Sequence, residues 1–206
     1  MAADVAGLLR RLREELKPVE ARILGHPFLG ALERGEVPRG GLQEFARQQY
    51  HIIASDLRSV ALAVARSPAG AAQDFFRHGL QAEAAAFEAL RAFATALGLP
   101  EEELRAADPL PGAFGYSAYV TWLACYGSAA EFAAAFLVNL PAWGAVAFFD
   151  LFAAPPAGFE EAATAVIVEG LSQGVEPGLI RRAAHLLQGY ELLYWDTLHQ
   201  VGAGAR

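Results

Sequence analysis

The run "AAAFLVNLPAWGAVAFF", residues 133–149, is apolar along its whole length except for one amide, Asn139. No face of such a run can be left in water without exposing large apolar side chains. Ser128 and Glu131 stand three apart just before it, in the pattern of a capping box that opens a helix. A helix apolar on every side belongs in the middle of a molecule, so the rest of the chain must supply helices to wrap it. The run just reaches the lower length limit of a membrane span, about 17 residues. Its flanks, however, are Glu131 and Asp150, with no basic anchor on either side, and Pro141 interrupts it. The expected form is a kinked, buried rod.

The wrapping is provided for. Val5, Leu8, Leu9, Leu12, Leu16, Val19 and Ile23 trace one face of an opening helix that His26-Pro27 ends. "PFLGALERG" predicts a short helix closed by Gly35. Amphipathic segments follow from about Leu42 to Ala65 and from about Gly70 to Leu97, divided by Ser67-Pro68, with Gly98 as a C-terminal glycine cap. Pro100 before "EEEL" places proline and acids where a helix start favours them. Further helices are expected over about 116–126, 159–173 and 177–201, with "AAPPAG" closing the apolar rod. No segment alternates like a strand, and no linker divides the chain. The spacing therefore predicts one all-α domain over residues 1–206, a bundle of about seven to eight helices.

Charge narrows the function. The chain carries 16 basic and 23 acidic residues, a formal net charge of −7, and no basic run. Nucleic acid and anionic membrane surfaces both call for the opposite balance. One cysteine, Cys125, permits neither an internal disulfide framework nor a multi-cysteine zinc site. "MAADVAGLLRRLREELKPVE" mixes charges of both signs with apolar residues and lacks the apolar core of a signal peptide. A reducing, cytoplasmic setting is expected.

The segment "HPFLGALERGEVPRGGLQEFARQQYHIIASDLRSVALAVA" resembles the opening of the TenA family, the thiaminase II-type aminopyrimidine hydrolases. The likeness continues through "GLQAEAAAFEALRAFATALGL" and "YSAYVTWLACYGSAAEFAAAFLV" to "YELLYWDTL". It implies the helical fold that TenA proteins share with PqqC and heme oxygenase, with a central pocket. It also implies a small-molecule substrate, no cofactor, and a homo-oligomer, dimer or tetramer. The family's nucleophilic cysteine falls at Asn139 when counted from Gly127, or at Ala142 when aligned on the proline. Its ring-anchoring aspartate becomes Gln49, and the aromatic three residues later becomes Ile52. Glu191, flanked by Tyr190 and followed by Trp195, matches the family's C-terminal glutamate, and Tyr116 matches a pocket tyrosine. Thiamin cleavage is accordingly expected to be weak or absent.

Read as chemistry, Glu191 sits among aromatics and leucines, a setting that suits general acid/base work. Asn139 cannot be a nucleophile, because its nitrogen lone pair is delocalised; it can only donate and accept hydrogen bonds. It is either a satisfied core group or a ligand contact. Gln48, Gln49, Tyr50 and His51 cannot all share a face, and the resemblance selects Gln49. Tyr116, Tyr119, Trp122 and Tyr126 form one aromatic stripe, of which Tyr116 is the pocket candidate. The candidate site is thus Glu191 as the catalytic group, with Asn139, Gln49, Tyr116 and Tyr190 binding substrate. No metal is expected. Asp196 with His199, and Asp74 with His78, have ligand-like helical spacing, but Glu83 is followed by Ala86 and Phe87 where a histidine would be needed. Two other readings stay open: an oxidoreductase of the PqqC or di-iron kind, and a non-catalytic ligand-binding protein.

Overall fold

The computed structural model describes residues 4–144 and 157–204, with side chains from 4–140 and 157–202. Among these residues there are nine helices and no strand: α1 Val5–Leu24, α2 Pro27–Glu33, α3 Arg39–Arg66, α4 Ala71–Ala96, α5 Glu101–Ala106, α6 Pro111–Tyr126, α7 Ala129–Gly144, α8 Phe159–Ser172 and α9 Pro177–Gly204. Seven have fourteen residues or more; α2 and α5 are short connectors. No helix among the described residues is long and apolar enough to cross a membrane.

Local signals set most boundaries. The Ser128 N–H donates to Glu131 Oε2 at 2.9 Å, and the Glu131 N–H donates to Ser128 Oγ at 3.2 Å, so the capping box is formed at the start of α7. Gly98 adopts φ +69° after α4, and the Leu99 N–H returns to the Ala94 carbonyl at 2.9 Å. Pro18 lies inside a continuous α1, and α7 runs through Pro141 to Gly144. The expected end of that rod at "AAPPAG" lies outside the described residues.

Packing arranges the long helices in a closed ring, in which α3 packs on α4, α4 on α8, α8 on α7, α7 on α9, α9 on α6 and α6 back on α3. Helix α1 lies along the outside of α9, where Glu15 accepts a hydrogen bond from His185 Nε2 at 3.0 Å. The α7 segment Phe132–Asn139 is wholly buried, as its composition required. Its close approach to α8 depends on Gly170, where a Cβ would fall 2.4 Å from the Ala130 Cβ. Gly170→Ala gains about 1 kcal/mol in helix propensity but meets an overpacking cost of about 1–3 kcal/mol, since neither Cβ can move without its helix. A net loss of stability is expected, read as a lower urea midpoint at unchanged slope.

Candidate active site

Four helices of the ring direct polar side chains into an otherwise apolar interior. Asn139 on α7 and Glu191 on α9 are 0 % and 1 % exposed. Nothing in their immediate sequence neighbourhood could pair them; the packing of α7 on α9 does. Asn139 Nδ2 donates to Glu191 Oε2 at 3.4 Å and to Gln188 Oε1 at 3.3 Å. Its Oδ1 accepts from the Tyr116 hydroxyl of α6 at 2.8 Å. The reverse amide orientation would set Oδ1 against a carboxylate oxygen and a second carbonyl, so the chemistry of the neighbours fixes it.

Helical spacing explains the α9 contribution. Gln188, Glu191 and Trp195 lie three and four apart and share one face. Trp195 Nε1 donates to Glu191 Oε1 at 2.6 Å, a short bond. Phe28 and Phe45 flank the indole at centroid distances of 6.0 and 6.4 Å. Gln188 in turn donates from Nε2 to the Val138 carbonyl at 2.9 Å. Both carboxylate oxygens of Glu191 are therefore held by donors that are themselves held, which is how a reacting group is kept in one orientation.

Gln49 reaches the same interior from α3, where the Tyr194 hydroxyl donates to its Oε1 at 2.8 Å. Its neighbours in sequence turn elsewhere. Gln48 bonds the Asp108 carbonyl and the Leu110 N–H, and His51 bonds the Ala107 carbonyl, so both anchor the loop before α6. Tyr116 is buried, and its phenol pKa is raised well above the usual value, by burial first and then by the charges of Asp56, Glu191 and Glu83. It stays a neutral donor. Burial, then the charges of Glu191 and Glu44, raise Tyr194 in the same way.

Tyr190 lies apart from this group. It is half-buried against Tyr119 at a centroid distance of 5.5 Å, on the side of α9 that faces α6. Tyr194 and Trp195, three and four residues past Glu191, occupy the acid's own face. Sequence reading passed over Gln188 and Tyr194. The i−3 and i+3 spacing from Glu191 was the signal that could have found both. The aromatic stripe of α6 runs outward from buried Tyr116 and Tyr119 to exposed Trp122 and Tyr126.

The pairs with ligand-like spacing serve other contacts. Asp74 pairs with Arg77, and Asp196 accepts from His26 Nε2 at 3.2 Å. His26 Nδ1 accepts the Phe28 N–H, which leaves Nε2 as the proton-bearing nitrogen. Among the described residues, no three His, Cys, Asp or Glu side chains converge as metal ligands do.

The sequence matches the TENA/THI-4/PQQC family model over residues 13–172, more than half its length. The chain belongs to the TENA/THI-4/PQQC family. Solved structures agree on the fold. A TenA homologue from Pyrococcus furiosus superposes with a TM-score of 0.76 at 19% identity, covering 93% of this chain and 99% of its own. A TenA homologue from Pseudomonas syringae gives 0.79 at 13% identity, covering 97% of each chain. A domain with a heme oxygenase-like fold from Shewanella denitrificans gives 0.67 at 17% identity, covering 96% of this chain and 93% of its own. No curated protein matches the sequence. The ring of helices is thus the heme oxygenase-like fold of the TenA family. Within that fold, the TenA-matching segment carries Gln49, Tyr116 and Asn139, while Glu191 and Gln188 lie on α9 beyond it.

Proposed function

We propose that this TenA-family protein hydrolyses a C–N bond in a small nitrogenous heterocycle, an aminopyrimidine or a close relative, with Glu191 as general acid and base. The observation that carries the reading is the convergence of Glu191, Asn139 and Tyr116 from three helices into one buried hydrogen-bonded group. With an amide at the position matched to the family's cysteine, water is the attacking group. Glu191 takes a proton from water as the new C–O bond forms, and returns it to the nitrogen as the C–N bond breaks. An alcohol and a neutral amine leave, and the carboxylate is regenerated. Tyr116, kept protonated, and Asn139 hold the ring and the acid in register, and Gln49 contributes a further polar contact from α3.

The test is release of 4-amino-5-hydroxymethyl-2-methylpyrimidine from the corresponding 5-aminomethyl compound, with and without Glu191→Gln. Turnover that the variant retains in full would remove Glu191 from the mechanism. Thiamin itself is expected to be a poor substrate.

The same reading implies a homo-oligomer. Supporting it, Phe114, Trp122 and Tyr126 of α6 and Leu186 and Leu193 of α9 are exposed along neighbouring helices. Light scattering is expected to give a dimer or tetramer, and a Trp122→Glu/Leu186→Glu variant a monomer. A wild-type monomer would count against it.

A further inference from the structure

Helices α3 and α4 pack antiparallel, and their register can be read from Val60. Its Cγ1 lies 3.7 Å from where a Cβ on Gly79 would stand. One turn back along α3 is Asp56, and one turn on along α4 is Glu83, so the two acids face each other across the seam. From α6, Ser117 closes the third side. Asp56 is 3 % exposed and Ser117 0 %. Both stand next to the group already described, because Tyr116 feels the charges of Asp56, Glu83 and Glu191 together.

This corner is not a finished polar network. Ser117 is near enough to favour the ionised form of Asp56, yet Asp56 Oδ1 and Ser117 Oγ are both buried without completing a hydrogen bond. Buried polar atoms are nearly always paired, so these two atoms call for a partner. The electrostatics point the same way. Burial, and then the charge of Glu83, hold Asp56 well above the usual carboxyl range; burial pushes Glu83 up to about 7. Glu83 is partly buried. No basic side chain is among the groups acting on either acid.

We propose that Asp56, Glu83 and Ser117 form a subsite for a cationic nitrogen, a protonated amine or an amidinium-like N–C–N edge, at the far end of the ligand from Glu191. The placement relative to Glu191 rests on the hydrolytic reading above; the cation preference does not. Two carboxylate groups accept the N–H bonds, and the Ser117 hydroxyl completes them. The cation replaces a proton that burial otherwise keeps on the pair, so binding releases a proton near neutral pH. Tyr116 from α6 and, beyond it, Glu191 from α9 are the other titratable groups facing the pair.

Benzamidine and benzamide test this, being alike in shape and different by one charge. Calorimetry near neutral pH, in two buffers of different ionisation heat, is expected to show benzamidine binding about ten-fold tighter or more. It should also show proton release for benzamidine alone. Asp56→Asn/Glu83→Gln should erase the preference and the proton release, while Ser117→Ala should weaken benzamidine only. Equal binding of the two probes, no benzamidine binding at millimolar concentration, or binding without proton release in the wild type would each overturn the subsite, whether or not the double variant folds. Glu191→Gln should keep the preference. Loss of turnover there with an unchanged preference in the double variant would sink the subsite and spare the hydrolase. Full turnover there with the preference erased in the double variant would do the reverse.

Discussion

Glu191→Gln is expected to lower kcat for the aminopyrimidine by about 10²–10⁴-fold, the usual worth of a positioned acid/base, while leaving the fold in place. The contrast between rate and stability is what identifies the role. A glutamine at 191 can still accept from Trp195 Nε1 through its carbonyl oxygen, so the 2.6 Å bond has a successor. Its other end, now an amide nitrogen, faces Asn139 Nδ2, a donor against a donor, at a cost of about 1–3 kcal/mol. In rate terms the lost proton transfer corresponds to about 3–5 kcal/mol of barrier. Should the melting temperature fall steeply while residual turnover stays near normal, Glu191 is a structural acid and the mechanism has been misassigned.

The second large effect is on stability, with a sign that depends on pH. Asp56 and Glu83 have folded pKa values raised above their unfolded ones, chiefly by burial. The folded state therefore binds more protons than the unfolded state between the two sets of values, and stability falls as pH rises through that window. For Glu83 alone, a rise from 4.5 to about 7 corresponds to about 3 kcal/mol lost by alkaline pH. His26 acts oppositely: burial lowers it, so its contribution is lost as pH drops below 6.5. The pair is isolated by difference. Asp56→Asn/Glu83→Gln should match the wild type near pH 4 and exceed it by about 3 kcal/mol or more near pH 8 in urea denaturation. Parallel pH curves for the two proteins would show that these acids are not strained by burial.

Some of this could be read along the chain and some could not. The start of α7 could, because Ser128 and Glu131 are three residues apart and bond to one another. So could the burial of residues 132–139, since no face of that stretch was fit for water. The use of Asn139 could not. Its partners Tyr116, Gln188 and Glu191 lie 23, 49 and 52 positions away, and only the packing of α6, α7 and α9 brings them together. Of the two readings left open for it, the structure shows a hydrogen-bonded core group, and its partners include the candidate acid. Family likeness, not spacing, drew attention to Glu191. Asp56 was passed over and Glu83 weighed only as a metal ligand, although each is an acid in a largely apolar stripe, with Gln49, Ile52, Ser59 and Val60 beside the first and Phe76, Gly79 and Leu90 beside the second. A charge inside an apolar stripe is a signal of the same kind as Asn139 in its apolar run, spread over helical turns and so harder to see.

Helix α9 supplies Glu191, Gln188, Tyr194 and Trp195, and it is the last of the described helices to be synthesised. A ribosome-bound chain lacking it would hold Asn139 and Tyr116 with no acid between them and a buried amide seeking partners. The buried hydrogen-bonded group can therefore close only once that final described rod has slotted against α6 and α7.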